Sequence, residues 1–160
     1  MFRESCRKFW KSIDSQRIKG FYLDIDSIFN FYPEWEKARG ALPDIWLEAG
    51  EAGLLCIDTP AEYGGIGSDF YHCAVASEEQ CYAGPDFFGP GFGLHTSIVA
   101  PYIFNYGTEE QKQRYLPEMA SGQTITCIGM TEPSGGSDLQ AMKTNAKRDG
   151  DDWILNGSKV

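Results

Sequence analysis

Apolar residues recur at helical spacing along the first three quarters of the chain, and the period changes near residue 122. Phe2, Cys6 and Phe9, set among Arg3, Arg7 and Lys8, predict a short amphipathic helix at the start. Leu42, Ile45, Trp46 and Ala49 form the i, i+3, i+4, i+7 stripe of a second helix, with Pro43 in its first turn and Gly53 beyond its end. Tyr71, Val75 and Tyr82 share a face of a third, capped by Ser68 or Asp69. Leu94, Ile98, Tyr102 and Tyr106 line one side of a fourth, in which Pro101 predicts a kink or a break. Thr108 with Gln111 predicts a capping box for a fifth helix running to about Met119. Beyond Gly122, residues 123–130 (QTITCIGM) read as a largely buried strand. Residues 144–148 and 153–155, with turns at 149–152 and at Asn156-Gly157, read as hairpin structure. The fold class is α+β, helices first and sheet after.

Two domains follow from that change of period: a helical one over 1–121 and the start of a β domain over 122–160. Residues 11–32 stand apart as an atypical insertion, rich in Ile, Phe, Asp and Asn. Phe21, Leu23 and Ile25 could alternate as a strand there, which an all-helical domain cannot readily pair.

Composition narrows the class. A chain of 160 residues can bury roughly two thirds of its unfolded surface. The net charge of −9, from 14 basic and 23 acidic residues, argues against a nucleic-acid partner. No apolar stretch approaches the roughly 20 residues of a membrane span. Residues 1–10 alternate charge with apolar side chains and do not read as a secretory signal, and Glu4 and Asp14 make the first twenty a poor mitochondrial presequence. Cys6, Cys56, Cys73, Cys81 and Cys127 form no CxxC pair, and only His72 and His95 could join them, so no metal site is expected. Reduced and mostly buried thiols are the expectation, Cys73 and Cys81 among them.

The densest chemistry follows the 123–130 segment. Thr131, Glu132, Pro133, Ser134, Gly135, Gly136, Ser137 and Asp138 bring three hydroxyls, two carboxylates and paired glycines into eight residues. Gly135 and Gly136 permit positive φ and close backbone approach, so the loop can aim amides at a ligand rich in carbonyls and phosphates. An ordinary turn explains the same residues equally well on spacing alone. Glu132 and Asp138 are read as loop-orienting and amide-capping groups, not as an acid–base pair. His95 reads as a structural or surface histidine. The glycines of 63–67 and 89–93 resemble phosphate or dinucleotide loops only superficially: no GK[ST] follows the first, and no strand precedes the second. The second is read as a hinge between helices, with the following 94–102 face as a candidate wall for a ligand's apolar chain and core packing as the default for such a stripe.

Residues 127–160, CIGMTEPSGGSDLQAMKTNAKRDGDDWILNGSKV, resemble the first flavin-contacting segment of the acyl-CoA dehydrogenase family, its mitochondrial long-chain members in particular. The likeness extends upstream to about Pro33, and residues 1–10 fit as well. The resemblance implies an N-terminal helical domain leading into the opening strands of the family's β middle domain. It implies FAD as cofactor, bound by Ile128, Gly129, Met130, Thr131, Glu132, Pro133, Ser134, Gly135, Gly136 and Ser137, with Ser137 also touching substrate. The implied reaction oxidises long-chain fatty acyl-CoA to trans-2-enoyl-CoA in fatty-acid β-oxidation in the mitochondrial matrix. Electron-transfer flavoprotein would be the acceptor, and the full-length protein a homo-oligomer, a tetramer. The family's catalytic carboxylate lies in a C-terminal part that these residues do not match, so no catalytic residue is assigned. The chain is therefore expected to be an N-terminal fragment or truncated form, inactive alone. An acyl-CoA oxidase-like flavoenzyme fragment and a non-catalytic isoform retaining only subunit contacts are the alternatives.

Overall fold

The computed structural model describes residues 1–17, 43–82 and 89–160. They form two compact units, Met1–Cys127 and Ile128–Val160.

The first unit is helical. Helix α1 (Phe2–Arg17) buries Cys6 and Trp10, and Phe2 and Phe9 pack at the edge of the same cluster, as the amphipathic stripe predicts. The helix runs on through Arg17, so residues 11–17 of the supposed insertion continue it. The rest of that segment, with the candidate strand around Phe21, lies outside the described residues, as does Leu42. Helix α2 (Pro43–Glu51) buries Ile45, Trp46 and Ala49, and the chain leaves it through Gly53 at φ 68°. Trp46 stacks on Phe92 at 4.3 Å between ring centroids, and Trp10 meets the same ring edge-on at 5.6 Å. These rings, with Leu54 and Leu55, make one core cluster.

Helix α3 (Phe70–Tyr82) starts at Asp69, whose Oδ1 accepts from the His72 amide at 3.2 Å. Its inward face differs from the expected one. Tyr71 and Tyr82 are exposed, and the position buried is Glu79. A carboxylate reaches the interior because α1 supplies its partners: Arg7 Nε and Nη2 donate to it at 2.8 and 2.7 Å, and Arg3 Nη1 at 3.0 Å. Cys81 is exposed and Cys73 half-buried, so of the five thiols only Cys6 and Cys56 are core.

Residues 89–93 are not a hinge. They form a short helix, α4 (Gly89–Gly93), that runs straight into a π-helical segment (Leu94–Val99) and then α5 (Ala100–Tyr106). The amide of Ala100 bonds His95 O, five residues back. Widening the turn here moves the inward face to Phe92, His95, Thr96 and Ala100, and leaves Tyr102 and Tyr106 exposed. Pro101 lies inside this continuous run, directly after the π segment, and supplies no amide to it. Helix α6 (Glu109–Ala120) carries the capping box in both directions: Gln111 N to Thr108 Oγ1 and Thr108 N to Gln111 Oε1. Leu116, Met119 and Ala120 join Cys56, Tyr63 and Ala100 in a second core cluster.

Residues 123–130 are not a buried strand: 123 and 124 lie in a bend and 125–130 have no regular structure. No ladder partner for them exists among the described residues, and Ile125 and Met130 are exposed. In the second unit, β1 (Asn145–Asp149) pairs antiparallel with β2 (Asp152–Asn156). Asp149 faces Asp152, so the connection is the two-residue loop Gly150-Asp151. Positive φ occurs only at Gly150, at 63°, the type II′ pattern that matches strand twist. No second turn follows at Asn156-Gly157, and residues 157–160 have no regular structure.

Candidate flavin loop

Residues 131–138 form a closed loop with a buried anchor. Glu132 N donates to Gly135 O and Gly135 N to Glu132 O, each at 3.0 Å, so Pro133 and Ser134 sit at the tip. The Glu132 side chain turns inward and is only 3 % exposed. Its Oε2 accepts from Lys143 N at 2.7 Å, and its Oε1 from Thr144 N at 3.1 Å and from Lys159 Nζ at 3.0 Å. The Lys143 amide above all, then the Thr144 side chain, the Lys159 ammonium and the Thr144 amide, outweigh desolvation and hold the carboxyl down at about 2. It is an anion with its lone pairs engaged, fitted to orient the loop and not to move protons.

Asp138 is likewise occupied: Oδ1 accepts from Gln140 N at 3.1 Å and caps the 3-10 turn Leu139–Ala141. Gly135 and Gly136 do not use positive φ, contrary to the expectation. The absence of a side chain serves packing at Gly135, where a Cβ would stand 3.0 Å from Asp138 O and 3.2 Å from Ala141 Cβ. A Cβ on Gly136 would meet only Thr131 Cγ2, at 3.9 Å. Thr131, Ser134, Gly136 and Ser137 are exposed, and Ile128 is half-buried. The loop thus faces outward with hydroxyls and backbone, while its one buried charge is compensated from behind. That donor set fits a ligand rich in phosphates and carbonyls.

Lys159 escaped the sequence reading, since nothing local to residue 159 marks it. The hairpin register could have found it. Carrying the Asn145–Asn156 pairing one place further sets Gly157 beside Thr144, where a Cβ on Gly157 would overlap Thr144. Lys159 is thereby returned to the base of the loop.

In the first unit His95 is fully buried. Nε2 lies 3.0 Å from Met119 O, which can only accept, so Nε2 carries the proton. Nδ1 then accepts from Thr126 N at 3.2 Å and faces Thr126 Oγ1 at 2.9 Å. Burial pushes this imidazole below its ordinary value. Its role is structural: it ties the 123–127 segment to the end of α6. The described residues contain no cluster of His, Cys, Asp and Glu able to hold a metal, and no helix long and apolar enough to cross a membrane.

Solved proteins place this arrangement in one class, the acyl-CoA dehydrogenase fold. An acyl-CoA dehydrogenase from Geobacillus kaustophilus matches with TM-score 0.77 and 41% identity, covering 99% of this chain and 38% of that one. A glutaryl-CoA dehydrogenase from Mycobacterium smegmatis, solved with FADH2, matches at TM-score 0.77 and 29% identity over 98% of this chain and 38% of that one. The acyl-CoA dehydrogenase N-terminal domain matches residues 26–123 and the middle domain residues 127–160, and the chain belongs to the acyl-CoA dehydrogenase family. The mitochondrial long-chain specific acyl-CoA dehydrogenase of Sus scrofa is 48% identical over 160 residues, all of this chain and 34% of its own length. The chain therefore spans about a third of the length of such relatives.

Proposed function

We propose that this chain is part of a FAD-dependent dehydrogenase that oxidises long-chain fatty acyl-CoA to the trans-2-enoyl-CoA. Residues 1–121 serve as its helical domain and 122–160 open its β domain. Identity of 48% along every residue to a long-chain specific relative supports this reading most strongly. The outward donors of the loop support the site.

FAD, when bound, supplies the two-electron acceptor for the bond between Cα and Cβ. The residues of this chain bind and orient. Backbone groups of Ile128, Gly129, Met130 and Thr131, with the Thr131 hydroxyl, line the flavin ring. Ser134, Gly135, Gly136 and Ser137 take the pyrophosphate, and Ser137 also touches the acyl-CoA. Glu132 and Pro133 shape the loop that presents them. Electron-transfer flavoprotein is the acceptor in turn, the mitochondrial matrix the location, and a homotetramer the assembly.

Substitution tests the site in the full-length enzyme. Thr131→Ala and Ser137→Ala each remove a donor to a charged or polarised group, worth about 1.5–3 kcal/mol, or about 10- to 150-fold in affinity. Thr131→Ala lowers FAD affinity or shifts the flavin potential, and Ser137→Ala weakens FAD or acyl-CoA binding. Unchanged flavin content, potential and acyl-CoA affinity in both variants contradict the assignment.

A further inference from the structure

The buried charge of the loop is neutralised from outside the loop. Lys159 Nζ reaches Glu132 Oε1 at 3.0 Å, Met130 O at 3.2 Å and Met142 Sδ at 3.5 Å. Its stem passes 3.9 Å from where a Cβ on Gly129 would stand. The next residue continues the contact, Val160 N donating to Thr131 O at 3.0 Å. Two backbone amides and this ammonium are the partners of a carboxylate that is almost wholly buried. Two amides hydrogen-bond a carboxylate but leave its net charge in place. A buried uncompensated charge is costly, and one beside a phosphate-binding loop also repels the ligand.

We propose that Lys159 is a positioning residue for the cofactor loop, neutralising Glu132 and holding the Met130 carbonyl so that Thr131 and the loop amides stay presented. The proposal rests on the flavin reading above for what the loop binds. It does not rest on it for what Lys159 does to the loop. Lys159 touches neither acyl-CoA nor flavin in this role. Its effect passes through Glu132 and the backbone of 130–132, and so depends on charge as well as on packing.

The test uses the full chain with Lys159→Met, which keeps the stem, Lys159→Arg, which keeps the charge, Glu132→Gln, and the Glu132→Gln/Lys159→Met pair. Amide hydrogen exchange without flavin reads the loop at Gly135, Lys143 and Thr144, with Lys147 and Ile154 of the hairpin as internal control. Lys159→Met speeds exchange at the three loop amides by about tenfold or more, leaves the hairpin within about twofold, and is largely rescued by Arg. On the Glu132→Gln background, Lys159→Met adds little. Loop exchange equal to wild type in Lys159→Met overturns the proposal, and so does equal loss of protection in loop and hairpin. FAD titration of the same samples separates the two claims. A loosened loop in Lys159→Met with no FAD response in wild type leaves the positioning intact and removes the flavin reading.

Discussion

His95 shows how little of a residue's role its type reveals. A histidine between Leu94 and Thr96 suggests a surface or core position and nothing more. Its two tethers, Met119 O and Thr126 N, lie 24 and 31 residues further along and meet it only after the π segment turns it inward. His95→Ala removes both and leaves a cavity, so it should cost about 2–4 kcal/mol of unfolding free energy by denaturant titration. A loss within about 0.5 kcal/mol, the range of a surface substitution, would show that the buried tether is unimportant. Glu132 was legible as a loop-orienting residue because a carboxylate among turn residues seeks amides. Lys159 was not, because the hairpin must fold before it arrives.

At the scale of elements, local signals were read well and faces less well. The Thr108–Gln111 box is a four-residue chemical pattern and appears intact at the start of α6. Thr108→Ala should therefore cost about 1 kcal/mol, seen as a lower denaturant midpoint with an unchanged slope. An unchanged midpoint would mean that packing alone fixes this terminus. The 94, 98, 102, 106 stripe failed for a physical reason. It assumes an unbroken α-helical period, and six residues of π-helix rotate the inward face. Glu79 is a different failure: burial of a carboxylate is decided by Arg3 and Arg7 of another helix, which periodicity cannot count. The 123–130 segment, expected as a buried strand, forms no strand. Its burial depended on strand partners, which the described residues do not offer it.

At the scale of the whole molecule, three buried groups among the described residues contribute to the acid response. Arg7, then Arg3, hold the Glu79 carboxyl at about 2 against desolvation, and amides and Lys159 do the same for Glu132. Both folded values are depressed, so the unfolded chain binds more protons below the ordinary carboxylate range near 4.3. The stability they contribute is present above that range and is lost as pH falls towards about 2. His95 acts earlier in the same direction, since the fold keeps it neutral while the unfolded chain protonates it below about 6.5. Cys56 acts at the other end: burial pushes its thiol up to about 12, so its contribution is lost as pH rises past the ordinary thiol value near 8.5. Denaturant midpoints should form a plateau between about pH 6.5 and 8.5 and fall on both sides. A midpoint unchanged from pH 7 to 3 would contradict these ion pairs.

The central claim is that residues 128–137 are the part of this chain that meets FAD. Amide NMR of the 160-residue chain during FAD titration tests it most directly. The account predicts concentration-dependent shifts at Thr131, Gly135, Gly136 and Ser137, weakened in Thr131→Ala and Ser137→Ala. Amides of α3 and of the Gly150 turn should stay in place. Saturating FAD that leaves the loop amides unmoved, or moves only residues of the helical unit, would contradict it.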